Sequence, residues 1–243
     1  MAAATRTGTG PRDRFRAQVR QEVKTAALRQ LAEGGPEALS LNAIAKQLGM
    51  TGPALYRYFA NRDSLLTELV IDAYGDLAAE LARTAEASAA EASEGDAATR
   101  LRALVLAYRA WALAEPHRYR LLFRAPLPGY DAQSTRLVEA AQPAMTVLLA
   151  AVGALAESTA EATDGTQGAG GAAVPEGTAA EFRAWGERHG FEDVPEAVAA
   201  RSTMLWAQLH GLAGLEIEGN FASMGVDPSF LYETAVTDFA RSL

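Results

Sequence analysis

Between residues 51 and 62 the chain reads T-G-P-A-L-Y-R-Y-F-A-N-R, which sets two guanidiniums, two phenols and a hydroxyl among small residues. Such donors suit phosphate oxygens and base edges, and they have no obvious place in covalent catalysis. Gly52, Pro53 and Ala54 are small enough to let a backbone approach base edges closely. The methyl of Thr51, the ring of Pro53 or the Ala54 methyl can meet a thymine methyl. Arg57 can either read guanine through two parallel hydrogen bonds or hold a phosphate. Tyr56 offers its hydroxyl to a phosphate, which positions a protein without specifying sequence. Tyr58 has two readings, a phosphate contact or packing against the first helix. Lys46, upstream, points outward where a phosphate can meet it, and Arg62 is a phosphate candidate at the start of the next helix.

Other chemistry is poorly supplied. The chain has three histidines, His117, His189 and His210, on separate segments, and no cysteine. No H-E-x-x-H, G-x-S-x-G or G-x-G-x-x-G pattern occurs. The G-A-G-G-A run at Gly168–Ala172 is preceded by no strand and is a poor dinucleotide loop. The expectation is a protein that is not an enzyme, holds no metal and needs no cofactor.

Helices must position the residues of the 51–62 segment. Arg12–Glu33 carries Phe15, Val19, Val23, Ala27 and Leu31 at spacings of four, one face of an amphipathic helix. Gly34-Gly35-Pro36 stops it. Arg14 and Arg16 at its start, or the arm before them, either form an ordinary solvated charge run or reach phosphates and the adjacent minor groove. Ser40 is the expected N-cap of a helix over Leu41–Leu48, buried through Leu41, Ile44, Ala45 and Leu48. Gly49 supplies the positive φ of a tight turn, with Met50 inward. Thr51 caps a third helix over Thr51–Tyr58, anchored by Leu55 and Phe59 four residues apart. Asn61 caps a fourth that begins at Arg62. Two short helices about a tight turn form a helix-turn-helix, whose second helix enters the DNA major groove.

Charge is divided in the same way. The formal net charge is −8, yet residues 1–62 hold ten Lys or Arg against four Asp or Glu, for +6, and the remainder carries −14. A basic head on an acidic body suits a reader of nucleic acid whose body is repelled from the duplex. Ala and Leu dominate and β-branched residues are sparse, which predicts an all-α chain. The N-terminus lacks a signal peptide's apolar core, and no apolar run approaches the ~20 residues of a membrane span. Together with the absence of cysteine this leads to a cytoplasmic protein with no membrane partner.

Beyond the head, helices are expected over Arg62–Ala92, Ala97–Ala114, His117–Phe123, Thr135–Glu161, Glu196–Glu218 and Pro228–Arg241. Pro126, Pro128 and Gly129 break the chain, and residues near Gly165–Ala173 read as a mobile loop. The Arg62–Ala92 helix begins in the head and runs into the body, a natural lever between them.

The ordered run A-L-x-L-x-x-I-A-K-x-L-G-M at Ala38–Met50, P-A-L-Y-R-Y-F at Pro53–Phe59 and the following N-R-D-S-L-L resemble the N-terminal domain of the TetR/AcrR family of transcriptional regulators. Trp206, His210 and Gly211, with the H-R-Y-R-L-L-F-x-x-P-x-P-G-Y run at His117–Tyr130, resemble the Trp-His-Gly subgroup of TetR C-terminal domains. The resemblance implies a TetR-like fold, with a three-helix helix-turn-helix domain over residues 1–61. A helical regulatory, ligand-binding and dimerisation domain follows over 62–243. It implies a homodimer bound to a palindromic operator in double-stranded DNA, usually as a repressor released by a small ligand. Tyr56 and Arg62 fall in the family's usual backbone-contact positions, with arginine at 62 where lysine is common.

The last two long helices would pair with a partner subunit's, which assigns Leu205, Leu209, Leu212, Leu215, Leu231, Val236 and Phe239 to dimerisation, although some of these serve the chain's own core. The body helices would surround an effector with some of Tyr108, Trp111, Leu122, Phe123, Met145, Leu149, Trp206 and His210, a mostly apolar set that favours a small hydrophobic or aromatic molecule. Each of these residues taken singly, the Trp206–His210 pair included, is equally a core residue. The competing possibility is an all-α binding protein or enzyme whose head no longer binds DNA.

Overall fold

A computed structural model of the chain describes residues 10–91, 97–123, 131, 134–162 and 174–242. Among them are eleven α-helices, one 3-10 turn and no strand. The chain divides into two compact units, the first of residues 1–70 with 120–132 and the second of residues 71–119 with 133–243. The division falls inside the fourth helix, where Leu65, Leu66, Leu69 and Val70 are all buried.

The first unit opens with α1, Pro11–Gly34, whose Pro11 needs no N–H in the first turn. Val19, Val23, Ala26, Ala27 and Leu31 form its buried stripe. Phe15 corrects the expected pattern: it is 63% exposed, one turn beyond the edge of the surface that its helix packs upon. Gly35, at φ 69°, ends α1 in a conformation that a β-carbon disfavours, and a 3-10 turn follows over Pro36–Ala38. Helix α2, Leu41–Gln47, is capped as expected, the Ser40 hydroxyl accepting the Ala43 N–H at 3.3 Å. Gly49 makes the turn at φ 65°.

Helix α3, Gly52–Tyr56, is shorter than expected, and residues 57 and 58 continue it only as a turn. Thr51 precedes it without a side-chain capping bond, and its carbonyl accepts from Ala54 and Leu55 at 3.0 and 3.2 Å. Helix α4 spans Arg62–Glu91. Its start is closed reciprocally: the Asn61 carboxamide oxygen accepts the Ser64 N–H at 2.8 Å while Ser64 Oγ accepts the Asn61 N–H at 3.2 Å.

The second unit takes α4 from Ile71 onward, α5 (Ala97–Ala114), the start of α6 (Pro116–Phe123), α7 (Thr135–Ala162), α8 (Glu176–His189), α9 (Glu196–Ile217), α10 (Asn220–Met224) and α11 (Ser229–Arg241). Helix α5 lies at its centre, packed on α7, α9 and α11. Leu101, Leu104, Val105 and Ala112 of α5, Val198 and Ala213 of α9, and Tyr232 and Ala235 of α11 are buried. Arg109 ties three of these helices together. Its guanidinium meets Glu216 at 2.6 Å, donates to Ser229 Oγ at 2.9 Å and stacks 4.7 Å from the Tyr232 ring centroid.

Helices α8 and α10 are additions to the expected set. Phe182, Trp185 and His189 of α8 form an aromatic row, with Trp185 stacked on Phe191 at 5.2 Å. Helix α7 also departs from expectation: Thr135–Glu161 is long and apolar enough to cross a membrane by length and composition. Alanine, glycine and Pro143 dilute its larger apolar residues, which conceals the run in the sequence. Only 17% of its most apolar window is buried. The expected breaks at Pro126, Pro128 and Gly129, the loop near Gly165–Ala173 and the arm before residue 10 lie outside the described residues.

Candidate functional site

In the first unit, α2 and α3 pack together, and a β-carbon on Gly52 would make only an ordinary 3.6 Å contact with the Asn42 carboxamide oxygen. Leu55 is fully enclosed and Phe59 is 2% exposed, so the anchors hold α3 by one side. Lys46, Thr51, Pro53, Tyr56 and Arg57 are exposed, and Gly52, Ala54 and Tyr58 half-buried. Arg14 and Arg16 are also exposed, on the first turns of α1.

Arg62 has a partner within the head. Its Nη2 donates to the Pro36 carbonyl, and its Nε is buried without a hydrogen-bond partner. One end of the guanidinium is thus tied inside the head, while the residue as a whole is only half-buried. Sequence failed to single out Arg20. It donates from Nη1 to the Tyr58 carbonyl at 2.8 Å and pairs from Nη2 with Glu68 at 3.0 Å. No local signal marks it among the neighbouring arginines.

Six of the candidate effector residues belong to the second unit, while Leu122 and Phe123 belong to the first. Tyr108, Trp111 and Leu149 are buried; Met145, Trp206, His210, Leu122 and Phe123 are half-buried. Trp206 stacks on His210 at 5.7 Å and 12°. Tyr119, which the sequence reading did not select, stacks on the same imidazole at 5.6 Å. Its hydroxyl donates to the His210 carbonyl at 2.9 Å and lies 2.7 Å from Nδ1. With the phenol proton given to the carbonyl, Nδ1 carries the proton of the neutral imidazole and donates to the phenol oxygen.

Burial lowers the His210 pKa below its ordinary value of 6.5. The unfolded chain therefore takes up the proton first, so stability is unaffected above that value and falls as the pH drops below it. His210→Asn keeps an N–H donor and removes the titration. Its melting temperature is expected to fall less than the wild type's between about pH 7 and pH 5; parallel declines would show that His210 is not responsible.

Polar atoms also lie deeper. Among the described residues the buried Ser202 hydroxyl has no hydrogen-bond partner, while the buried Tyr108 and Tyr232 hydroxyls lie near Tyr119 and Glu216. Burial is the first cause raising the Tyr108 and Tyr232 pKa values, so both phenols stay protonated. Tyr119 is the next influence on Tyr108, and the Glu216 carboxylate on Tyr232.

The dimerisation candidates separate into two groups. Leu205 is 1% exposed and Leu209 and Val236 are also buried, so these three serve the chain's own core, the other role the sequence left open for them. Leu212, Leu231 and Phe239 are half-buried. Leu215 is 46% exposed and Met204, on the same face of α9, 70%. Gly211 lies between them, and no side chain of the unit comes within 4 Å of where its β-carbon would be.

Comparison with known proteins matches this architecture at both ends. Residues 25–69 match the family described as bacterial regulatory proteins, tetR family, and residues 101–239 match the tetracyclin repressor-like C-terminal domain, a span that includes Trp206, His210 and Gly211. The chain is 32% identical over 226 residues to the HTH-type transcriptional regulator Rv1816 of Mycobacterium tuberculosis, covering 92% of each protein. The HTH-type transcriptional regulator Mb1846 of Mycobacterium bovis matches to the same extent, with 32% identity over 92% of each. Among solved structures, the regulatory protein SCO4313 superposes with a TM-score of 0.70 at 38% identity, covering 95% of this chain and 98% of that one. A Rhodococcus sp. RHA1 protein of unknown function shares the fold at a TM-score of 0.65 and 22% identity, covering 99% of both. With its helix-turn-helix head and helical body both matched, the chain belongs to the TetR family of DNA-binding transcriptional regulators.

Proposed function

We propose that this regulator is a repressor that binds a palindromic operator as a homodimer, acts in the cytoplasm and is released by a small effector, with no enzymatic step. The reading rests on the exposure of Lys46, Thr51, Pro53, Tyr56 and Arg57 beside a helix-turn-helix whose inner side is closed by Leu55 and Phe59. In it, residues 1–61 read DNA and residues 62–243 dimerise and bind the effector. Arg57 reads a base; Lys46 and Tyr56 hold phosphates, with Arg14 and Arg16 flanking them. Arg57→Ala is expected to cost about 1–3 kcal/mol on the operator and to relax its sequence preference. Equal loss on every sequence would make Arg57 a phosphate contact instead. Gel-shift titration with palindromic duplexes from the DNA upstream of the chain's own gene tests the whole reading, which fails if none binds at low salt.

The effector is a small hydrophobic or aromatic molecule bearing a neutral polar group. The buried Ser202 hydroxyl, which has no hydrogen-bond partner among the described residues, supports this, because an enclosed hydroxyl without a partner carries a desolvation cost that a ligand can relieve. Compounds of this class should quench tryptophan emission saturably in the wild type but not in Trp206→Phe, and should release DNA at the same concentrations. Release by charged ligands alone would overturn the assignment.

A further inference from the structure

Three elements of the first unit meet at one arginine. Arg20, on the third turn of α1, donates from Nη1 to the Tyr58 carbonyl at 2.8 Å, just beyond the end of α3. Its Nη2 lies 3.0 Å from Glu68 of α4, and its guanidinium carbon sits 4.5 Å from the centroid of the Phe59 ring. Lys24, one turn further along α1, approaches the same Glu68 oxygen at 3.8 Å. The pair is largely withdrawn from solvent, with the Arg20 and Glu68 side chains 29% and 23% exposed.

We infer that Arg20, oriented by Glu68, is a positioning residue for operator recognition: it fixes the outgoing end of the recognition helix to α1 and α4. Helix α3 has only five residues, and the Tyr58 carbonyl lies just beyond it, so that acceptor needs a donor from outside the helix. The guanidinium supplies one, and its planar fork serves the carbonyl and the carboxylate together while its face lies on Phe59. A lysine ammonium can carry the charge but cannot hold all three partners in that plane. Tyr58 immediately follows Arg57 and lies two residues after Tyr56, so a shift of its carbonyl displaces the residues that face DNA.

The inference rests on operator binding, and its test separates the two. The probes are a palindromic duplex selected from a random pool by the wild-type protein and a scrambled duplex of equal length. A wild type that selects no sequence would overturn the operator reading itself. If Arg20 acts by position, Arg20→Lys is expected to weaken binding to the selected duplex about tenfold and leave binding to the scrambled one unchanged. Were Arg20 a phosphate contact, lysine would largely preserve affinity.

Glu68→Gln gives the sharper result, because the two explanations predict opposite signs. Removing a negative charge from a DNA-binding head strengthens binding electrostatically. Loss of the anchor for Arg20 weakens binding to the selected duplex instead, also by about tenfold, and the double variant should be no worse than either single one. Melting curves confirm that each variant is folded at the assay temperature, and either folded variant decides the matter. Glu68→Gln binding the selected duplex as tightly as the wild type, or Arg20→Lys showing no loss, would overturn the inference.

Discussion

Replacing both Met204 and Leu215 with aspartate is expected to yield monomers and to weaken operator binding by about two orders of magnitude or more. The two side chains are 70% and 46% exposed on one face of α9, with open space at Gly211 between them. On the neighbouring α7, Pro143, Thr146 and Ala150 are exposed on a helix that is apolar along its length and little buried. On the proposed reading the partner surface takes in α7 and the outer side of α9 beside the α9–α11 pair that the sequence suggested, where Phe230 of α11 is 73% exposed. A second copy offering the same helices would bury those faces in a four-helix bundle. A carboxylate at such a contact must be desolvated without a partner, which opposes association strongly. Each monomer would then hold one half-site and lose the advantage of two recognition helices about 34–36 Å apart on one face of the duplex. Light scattering at micromolar concentration checks the first step and gel-shift titration the second. A doubly substituted protein that remains dimeric would place the interface elsewhere.

Phe59→Ala is expected to unfold the head while the body remains folded. Phe59 is 2% exposed beneath the end of α3 and carries the Arg20 guanidinium on its ring, so truncation removes a packed aromatic and leaves a cavity. The cost is about 3–5 kcal/mol, a large part of the roughly 5–15 kcal/mol that holds a typical domain together. All three tryptophans, Trp111, Trp185 and Trp206, lie in the second unit. Circular dichroism reports helices in both units, whereas tryptophan emission reports the second. The variant should lose helical signal at lower denaturant concentration than it loses native emission, and DNA binding should disappear with the first transition. Coincident transitions would mean that the head does not unfold separately. Phe15→Ala is the contrast: at 63% exposure it should alter stability by no more than about 0.5 kcal/mol.

Some features of this chain were determined by neighbours in sequence. The Ser40 cap, the turn at Gly49, the Asn61–Ser64 box and the bounds of α5 all follow from interactions within one or two turns, where side-chain spacing dictates geometry. The helix-turn-helix is legible for the same reason, since its junctions are short and its anchors Leu55 and Phe59 are four residues apart. Helix α8 went unrecognised because its aromatic row follows a long stretch poor in large apolar residues, and its packing on α9 is not encoded locally.

Only the tertiary structure decided which of several equivalent residues does what. Arg20 and Tyr58 are 38 positions apart, Arg62 and Pro36 26, and nothing near either arginine in sequence announces its carbonyl. The leucines of α9 likewise satisfy the same helical period whether they face the chain's own core or a second copy. Burial of Leu205 and Leu209 and exposure of Leu215 emerge once α5, α7 and α11 have taken their places around that helix. Periodicity marks the apolar faces of a helix, but which neighbour covers each face depends on contacts that are distant in sequence.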